Sequence, residues 1–481
     1  MQGETVTKNT TYLTGSYIWQ KILSFFYFVL IARFIGVEDL GKYTFALSYV
    51  TLFAVFVDIG LTQSLIREAA KRKEKAKEFI SSVLGMKLIF SGLVYALVVV
   101  LVNLMGYPEV TKNLVYVAGI AMIFDQFTAS FWGVFRGFQN LKYEAISIAI
   151  NQVIIVAVGV VVIYLKLPLI YLMLPFICGS LFSLLFAGIS VRKALKIDFS
   201  VMLSKEVLKF LFKIGIPFAL IAIFSRVYGY IDSIMLSKLI GDKAVGWYSV
   251  AMKIPFALQF IPAALAAAIF PAFSRYYLHD KKQLKFTFDR VMKFLVIIVV
   301  PISIGVALLA RPIILFFYGN EYLPSVLPLQ ILMLGLIFVF LNFPLGSLLN
   351  GCDRQVANTV LVGITMVFNV IINIFIIPRY SFTGAAIAFL ISHTFLFFIS
   401  MVVARKIIPY SKFLLLKTIF QSFISVLVMA AVIYYLMAQL HFTILILVGG
   451  VVYITTMFIT RGLTQKDIKY FIEVLIKKKH A

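Results

Sequence analysis

Charge is what this chain has least of. Only 13% of its 481 residues are Asp, Glu, Lys or Arg, while 62% are hydrophobic; a soluble domain carries about a quarter charged residues. Such a chain cannot cover a water-facing surface, and an all-α polytopic membrane protein is expected. Acids are scarcer still, 20 Asp and Glu against 44 Lys and Arg, for a net charge of +24. The charged segments are too short to form a solvated basic face, which excludes nucleic acid as a partner. Two cysteines, Cys178 in an apolar run and Cys352 in a short loop, exclude a disulfide framework. The four histidines are scattered, and GxxxxGK, GxGxxG and HExxH are all missing. With loops of at most about fifteen residues, no room is left for a nucleotide-binding domain, so ATP hydrolysis, zinc chemistry and a bound cofactor are not expected. The start, MQGETVTKNT, lacks the charged and apolar parts of a signal peptide, and the first span is expected to stay in the mature protein.

What is present is a series of apolar runs. Roughly 20 apolar residues cross a bilayer core, and fourteen such runs are found, at 13–36, 40–66, 79–105, 110–135, 144–165, 168–191, 207–237, 244–273, 287–310, 322–349, 356–377, 381–404, 413–437 and 442–460. The loops on one side of these spans carry 29 cations, from Lys8 through the group at Arg67–Lys77 to the tail at Arg461–Lys479, and those on the other carry 7. Short basic loops stay cytoplasmic, which puts both termini inside a multi-pass cell-membrane protein. The remaining cations lie in or at the edges of spans.

Residues 21–46 and 226–251 align without a gap at an offset of 205, sharing the turn IGxxxxGxY: Ile35, Gly36, Gly41, Tyr43 and Ala46 meet Ile240, Gly241, Gly246, Tyr248 and Ala251. The repeat unit is six helices, 1–6 and 7–12, with two helices appended. The expected domains are residues 1–206, 207–404 and 405–481. Parallel repeats of this kind place a substrate site at their interface near the midplane.

The same offset pairs Lys21 with Arg226 and Arg33 with Lys238. A cation inside a span costs about 2.5–3.5 kcal/mol on insertion scales and normally faces a wet cavity or a partner. Lys21 shares a helical face with Thr14, Tyr17 and Ser24, and Arg226 shares one with Tyr230, Ser233 and Ser237. Lys21 and Arg226, joined by Lys253 in the eighth span, would form a clamp for an anion. Arg33 and Lys238, near the outer ends, read as snorkelling outward, and Lys87 as snorkelling to the inner interface. Helix 2 carries a polar stripe, Thr44, Ser48, Thr51, Asp58 and Thr62, and helix 4 carries Asp125 with Trp132 and Arg136 on roughly its face. Asp58 and Asp125 could each neutralise a cavity cation, relay protons or act as structural counter-ions.

The segments ARFIGVEDLGKYTFA and DIGL, WGVFRGFQNLKYEA, GIPFAL, IDSIMLSKLIGDKAVGWYSVA, FYGNEYLPSVLPLQIL and NVIINIFIIPRYSFTGAAIA follow one another in an order that resembles the polysaccharide-transporter branch of the superfamily of multidrug and toxin extrusion antiporters and the lipid II flippase. The resemblance covers essentially the whole chain. It implies two pseudo-symmetric six-helix lobes in a V around a central cavity, opening alternately to either side. It also implies movement of a polyprenyl-linked oligosaccharide; glycan-assembly enzymes are candidate partners, which the sequence leaves open. In the flippase branch a sodium ion is held between helices 7, 11 and 12; the resemblance carries this to Asp232, Asn369 and Asn373, with Thr383 or Ser392 as the helix 12 hydroxyl. One expected acid is Asn373 here, so a hydrogen-bonded packing cluster is an equal reading.

The expectation is a monomeric flippase for a lipid-linked oligosaccharide, without catalytic residues and driven by Na+ or H+ if coupled. Its substrate cavity would include Lys21, Arg226, Lys253, Asp58, Asp125, Tyr17, Ser24 and Tyr230. The alternatives are an ion-coupled cation or drug antiporter of the same fold, disfavoured because residues 13–36 hold two cations and no acid, and a polytopic saccharide polymerase or ligase. A ligase would need a large outer loop bearing acids or a base. The outer loop near residues 310–322 has only Arg311 and Glu321.

Overall fold

Apolar backbone in lipid can satisfy its N–H and C=O groups only within helices or closed barrels, and this chain uses helices throughout. The computed structural model describes residues 2–465 and Asp467, with side chains from Tyr12 onward except that of Pro217. The side chain of Lys8 and the tail cations Lys466, Lys469, Lys477, Lys478 and Lys479 lie outside the described set. Among the described residues there is no strand. The helices are α1 (Gln2–Asp58), α2 (Leu61–Lys71), α3 (Ala76–Leu104), α4 (Glu109–Gly137), α5 (Lys142–Tyr164), α6 (Leu174–Ala194), α7 (Lys205–Leu239) and α8 (Asp242–Leu258). They continue with α9 (Phe260–His279), α10 (Lys281–Leu308), α11 (Ala310–Phe317), α12 (Val326–Gly351), α13 (Gln355–Arg405), α14 (Lys412–Leu436) and α15 (Phe442–Ile459).

Among the described residues, eleven helices are long and apolar enough to cross a membrane, or twelve when the pair bent by 46° at Asp58–Leu61 is taken as one span. Fourteen runs were expected. The difference arises where one long helix holds two runs: α1 passes through non-helical Gly36 (φ 77°) and α13 through non-helical Ser381 (φ 54°). The second expected run, 40–66, is itself broken, because Ile59 and Gly60 both have positive φ, 37° and 75°.

The chain forms two compact units, Met1–Gly246 and Trp247–Ala481. The first unit therefore extends past residue 206, because α7 packs on α1, α2 and α3. Its apolar core gathers Leu61, Leu65, Phe79, Phe131, Trp132 and Leu211 from α2, α3, α4 and α7. In the second unit, Ile297 of α10 meets Val426, Met429 and Ile433 of α14 and Leu445, Tyr453 and Met457 of α15, so the two appended helices share a core with α10. Lipid is as apolar as these side chains, and fit rather than dehydration holds such helices together.

The repeated turn shows that fit in its extreme form. Gly36 and Gly241, equivalent under the offset of 205, both take positive φ, 77° and 116°. A Cβ on Gly41 would stand 1.8 Å from the Asp242 carbonyl oxygen, and one on Gly246 would stand 2.0 Å from the Val37 carbonyl oxygen. Asp242 is the equivalent of Val37, and Gly246 of Gly41, so each turn touches the other with the same two positions. Gly41→Val should cost more than the roughly 1–3 kcal/mol of ordinary overpacking and lower the thermal midpoint of the purified protein sharply. Gly92→Ala, whose Cβ would meet nothing within 4 Å, should leave it nearly unchanged.

At the end of the described chain, Thr464 and Asp467 cap each other reciprocally. The Thr464 N–H donates to Asp467 Oδ2 at 3.0 Å, and the Asp467 N–H donates to the Thr464 hydroxyl at 3.3 Å, the reciprocal bonds of a capping box; the Thr464 hydroxyl donates to Oδ2 as well, at 2.7 Å. Asp467 is also buried against Arg290 and Lys293 of α10, with Lys293 Nζ at 2.7 Å from Oδ2. Burial pushes its carboxyl up, but the bonds from Lys293 and Thr464 and the Lys293 charge outweigh it and hold the pKa below the ordinary value. A depressed carboxyl stabilises the fold above the unfolded pKa of about 3.9, and that stability is lost as pH falls through the lower folded value. The thermal midpoint of the native protein should exceed that of Asp467→Asn by a constant margin from pH 8 down to about 4, and the margin should close below it. A margin that shrinks already at neutral pH would contradict this role.

Candidate functional site

The first segment of α1 carries Tyr17, Lys21 and Ser24 on successive turns; Tyr17 is exposed, and Lys21 and Ser24 are half-buried. On α7, Arg226 is exposed, with its guanidinium carbon 5.9 Å from the centre of the Tyr230 ring, one turn on. Lys21 and Arg226 thus belong to the first unit, on two helices that pack together. Lys253, half-buried in α8, belongs to the second. Arg33 is exposed. Lys238 does not simply reach for water: its ammonium donates to the Met105 carbonyl oxygen at 2.6 Å and so caps the chain leaving α3.

Asp125 of α4 is exposed and within interaction range of the Ser180 hydroxyl on α6. The two residues expected on its face lie elsewhere in character. Trp132 is in the core, and Arg136 grips the buried Glu144 of α5, with Nε 3.0 Å from Oε2. Tyr17 stands beside this pair. Glu144 lies in the first turn of α5, where helical periodicity carries no signal for it.

The principal correction concerns Lys87. A snorkelling lysine would put its ammonium in headgroups or water, but Lys87 is fully buried. Its ammonium donates to Asp58 Oδ1 at 2.6 Å, to the Thr62 hydroxyl at 2.9 Å and to the Gln126 carbonyl oxygen at 2.8 Å. Three acceptors match the three N–H bonds of an ammonium. Asp58 Oδ1 also accepts from the Thr62 N–H at 3.2 Å and from the Thr62 hydroxyl, so the carboxylate spans the break at Ile59–Gly60 and caps the start of α2. Asp58 is thus the counter-ion of a buried cation, one of the roles left open for it. The signal that could have found the pair was arithmetic: an acid in one span calls for a cation in another.

On the far side of the same break lies α7. A Cβ on Gly60 would be 2.2 Å from the Gly215 carbonyl oxygen, and the Ser64 hydroxyl is 2.9 Å from the Leu211 carbonyl oxygen. The polar node that holds α1, α2, α3 and α4 is therefore seated directly beside the docking face of α7.

Asp232 is buried in the first unit. In the second, Asn373 Nδ2 donates to Asn369 Oδ1 at 3.1 Å, and Asn369 Nδ2 donates to Ser392 Oγ at 3.2 Å, all three residues buried. Of the two hydroxyls expected from helix 12, Ser392 is the one that joins the asparagines. Among the described residues no group of three or more His, Cys, Asp or Glu is placed to hold a metal.

Comparison with known proteins gives the arrangement a context. Residues 6–277 match the polysaccharide biosynthesis protein family, and residues 217–375 match the MatE family. An uncharacterized membrane protein of Methanocaldococcus jannaschii is 26% identical over 409 residues, covering 80% of this chain and 81% of that protein. A capsular polysaccharide biosynthesis protein of Staphylococcus aureus is 22% identical over 392 residues, covering 80% of this chain and 96% of its own. The solved structure of the lipid II flippase MurJ in an inward closed conformation aligns with a TM-score of 0.77 at 18% identity, over 96% of this chain and 99% of that one, a likeness of fold.

Removing one partner of a buried ion pair costs roughly 3–5 kcal/mol, because the other charge is stranded. Asp58→Asn should therefore lower the thermal midpoint more than the double variant Asp58→Asn/Lys87→Met, in which no charge is left unpaired. Melting of the purified variants checks the order. Equal losses in the single and double variants would show that the pair is not what stabilises this region.

Proposed function

Because the chain belongs to the polysaccharide biosynthesis protein family, we propose that it carries a lipid-linked oligosaccharide across the cell membrane by alternating access, as a transporter and not an enzyme. The observation that carries this reading is the pair of cations on α1 and α7 of one compact unit. Lys21 is half-buried and Arg226 exposed, in segments apolar enough to lie in a bilayer. A polyprenyl phosphate or pyrophosphate is an anion, and charge-assisted hydrogen bonds to Lys and Arg are the strong kind. The saccharide would contact Tyr17, Ser24 and Tyr230, with exposed Asp125 as a hydrogen-bond acceptor for sugar hydroxyls.

The charge asymmetry of the loops supports a cell-membrane orientation with both termini cytoplasmic, where enzymes that assemble the glycan would deliver it. The repeat supports two equivalent sequence halves, 1–206 and 207–404, although α7 of the second half packs within the first compact unit. No nucleotide-binding motif is present in the sequence, so the drive would come from an ion gradient such as Na+ or H+, the membrane potential, or consumption of the substrate outside. The match to the MatE family over residues 217–375 favours a second reading, a cation antiporter. That reading sits poorly with a first span that holds two cations and no acid.

In a reconstituted flipping assay with a lipid-pyrophosphate saccharide, Lys21→Ala and Arg226→Ala should each slow transport by about tenfold or more, the loss of one charged hydrogen bond. Arg33→Ala should have little effect. Unchanged flipping in both cavity variants would remove the anion clamp, and transport of a cationic dye with no flipping would favour the antiporter.

A further inference from the structure

One concavity of the first unit is lined by helices other than the two that carry Lys21 and Arg226. It is a groove of about 480 Å3 between α3, α4 and α6, within the roughly 300–1,000 Å3 of small-molecule sites. Leu84, Leu88, Phe127, Phe131 and Leu184 line it, and at its rim stand Arg192 and Phe199. The groove is apolar along its length and cationic at one end, the chemistry of an amphiphile.

The rim is built rather than loose. Arg192 lies in the last turn of α6, after which the chain turns through Lys196 at a positive φ of 54°. The Ser200 N–H then donates to Ser81 Oγ of α3 at 3.2 Å, and the Met202 N–H donates to the Ser81 carbonyl oxygen at 3.2 Å. The segment lies so close on α3 that a Cβ on Gly85 would be 2.3 Å from the Met202 carbonyl oxygen. Phe199 is held in turn, its ring centre 4.8 Å from that of Phe131 in the groove wall. The Arg192 guanidinium also sits over the Phe199 ring, 4.6 Å from its centre. A stacked guanidinium keeps its N–H edges directed outward, the geometry that suits phosphate oxygens.

Charge complementarity fixes the occupant. Arg192 is exposed and, among the described residues, has no carboxylate within 4.0 Å. Lys193 and Lys196 beside it are exposed, and Asp198 is the one acid between residues 192 and 205. These residues belong to a loop on the cation-rich side of the chain, the side that meets the anionic leaflet. We propose that this groove is a binding site for an anionic glycerophospholipid of that leaflet, with one acyl chain between α3, α4 and α6 and the phosphate on Arg192. Each buried methylene contributes about 0.8 kcal/mol relative to water, but against a lipid solvent that term nearly cancels. Selectivity therefore comes from the headgroup charge, and retention from the fit of the chain. The site is separate from the transport reading and does not depend on it.

The test is native mass spectrometry of the full-length protein in detergent, titrated with phosphatidylglycerol or phosphatidylcholine of identical chains. The native protein should retain one phosphatidylglycerol in preference to phosphatidylcholine by about fivefold, the effect of one arginine near an anionic surface. Arg192→Gln should abolish that preference while both lipids still bind weakly, and Leu88→Trp, at an exposed position of the groove wall, should weaken both. Equal retention of the two lipids by the native protein, or an undiminished preference in Arg192→Gln, would overturn the proposal. So would displacement of phosphatidylglycerol by an equimolar amount of undecaprenyl phosphate, which would assign the groove to the carrier lipid.

Discussion

An ammonium inside a bilayer has to be solvated by the protein itself, and the way Lys87 is solvated determines much of the first unit. Its three hydrogen bonds go to Asp58, Thr62 and Gln126, residues contributed by α1, α2 and α4. One side chain on α3 therefore fixes the relative position of four helices. Apolar packing alone would leave them free to slide, since lipid competes equally for their side chains. The requirement is strict because an unpaired charge here has no water to turn to. It also explains why α1 stops at Asp58: the carboxylate that neutralises Lys87 is needed again as the cap of α2, and both tasks are met only if the helix bends between them.

That bend has a second consequence for packing. By interrupting the helix at Ile59–Gly60, it exposes a backbone surface flat enough for Gly215 of α7 to approach within backbone contact. Ser64 fastens the approach by bonding to the Leu211 carbonyl oxygen. The charge pair and the seat of α7 are thus two sides of one break. Since α7 carries Arg226, the helix proposed to hold the substrate anion is registered against a node whose stability is electrostatic.

How much of this could be read in advance follows from the range of each interaction. Apolar runs, loop charge and the offset of 205 are local or periodic, and they indicated a helical membrane protein and the two equivalent turns. Asp232, Asn369 and Asn373 were named only through the family resemblance; of the two hydroxyls named with them, Ser392 is the one bonded to Asn369, which in turn accepts from Asn373. Lys87 was misread because its depth in α3 is compatible with snorkelling. What decides against snorkelling is an acid on another helix, which periodicity within α3 does not report. The partner of Arg136 escaped for the same reason. The break at Ile59–Gly60 lay inside an uninterrupted apolar run, where a single glycine is no strong boundary signal.

The reciprocal contact of the repeated turn has the symmetry of exchange: position 41 meets the equivalent of 37, and the equivalent of 41 meets 37. This is the pattern of an isologous interface, in which a patch is complementary to itself across a twofold axis. A local twofold must therefore run between Gly41 and Gly246. Each glycine is thus bounded by the backbone of the other turn, so neither position can be enlarged without displacing both turns.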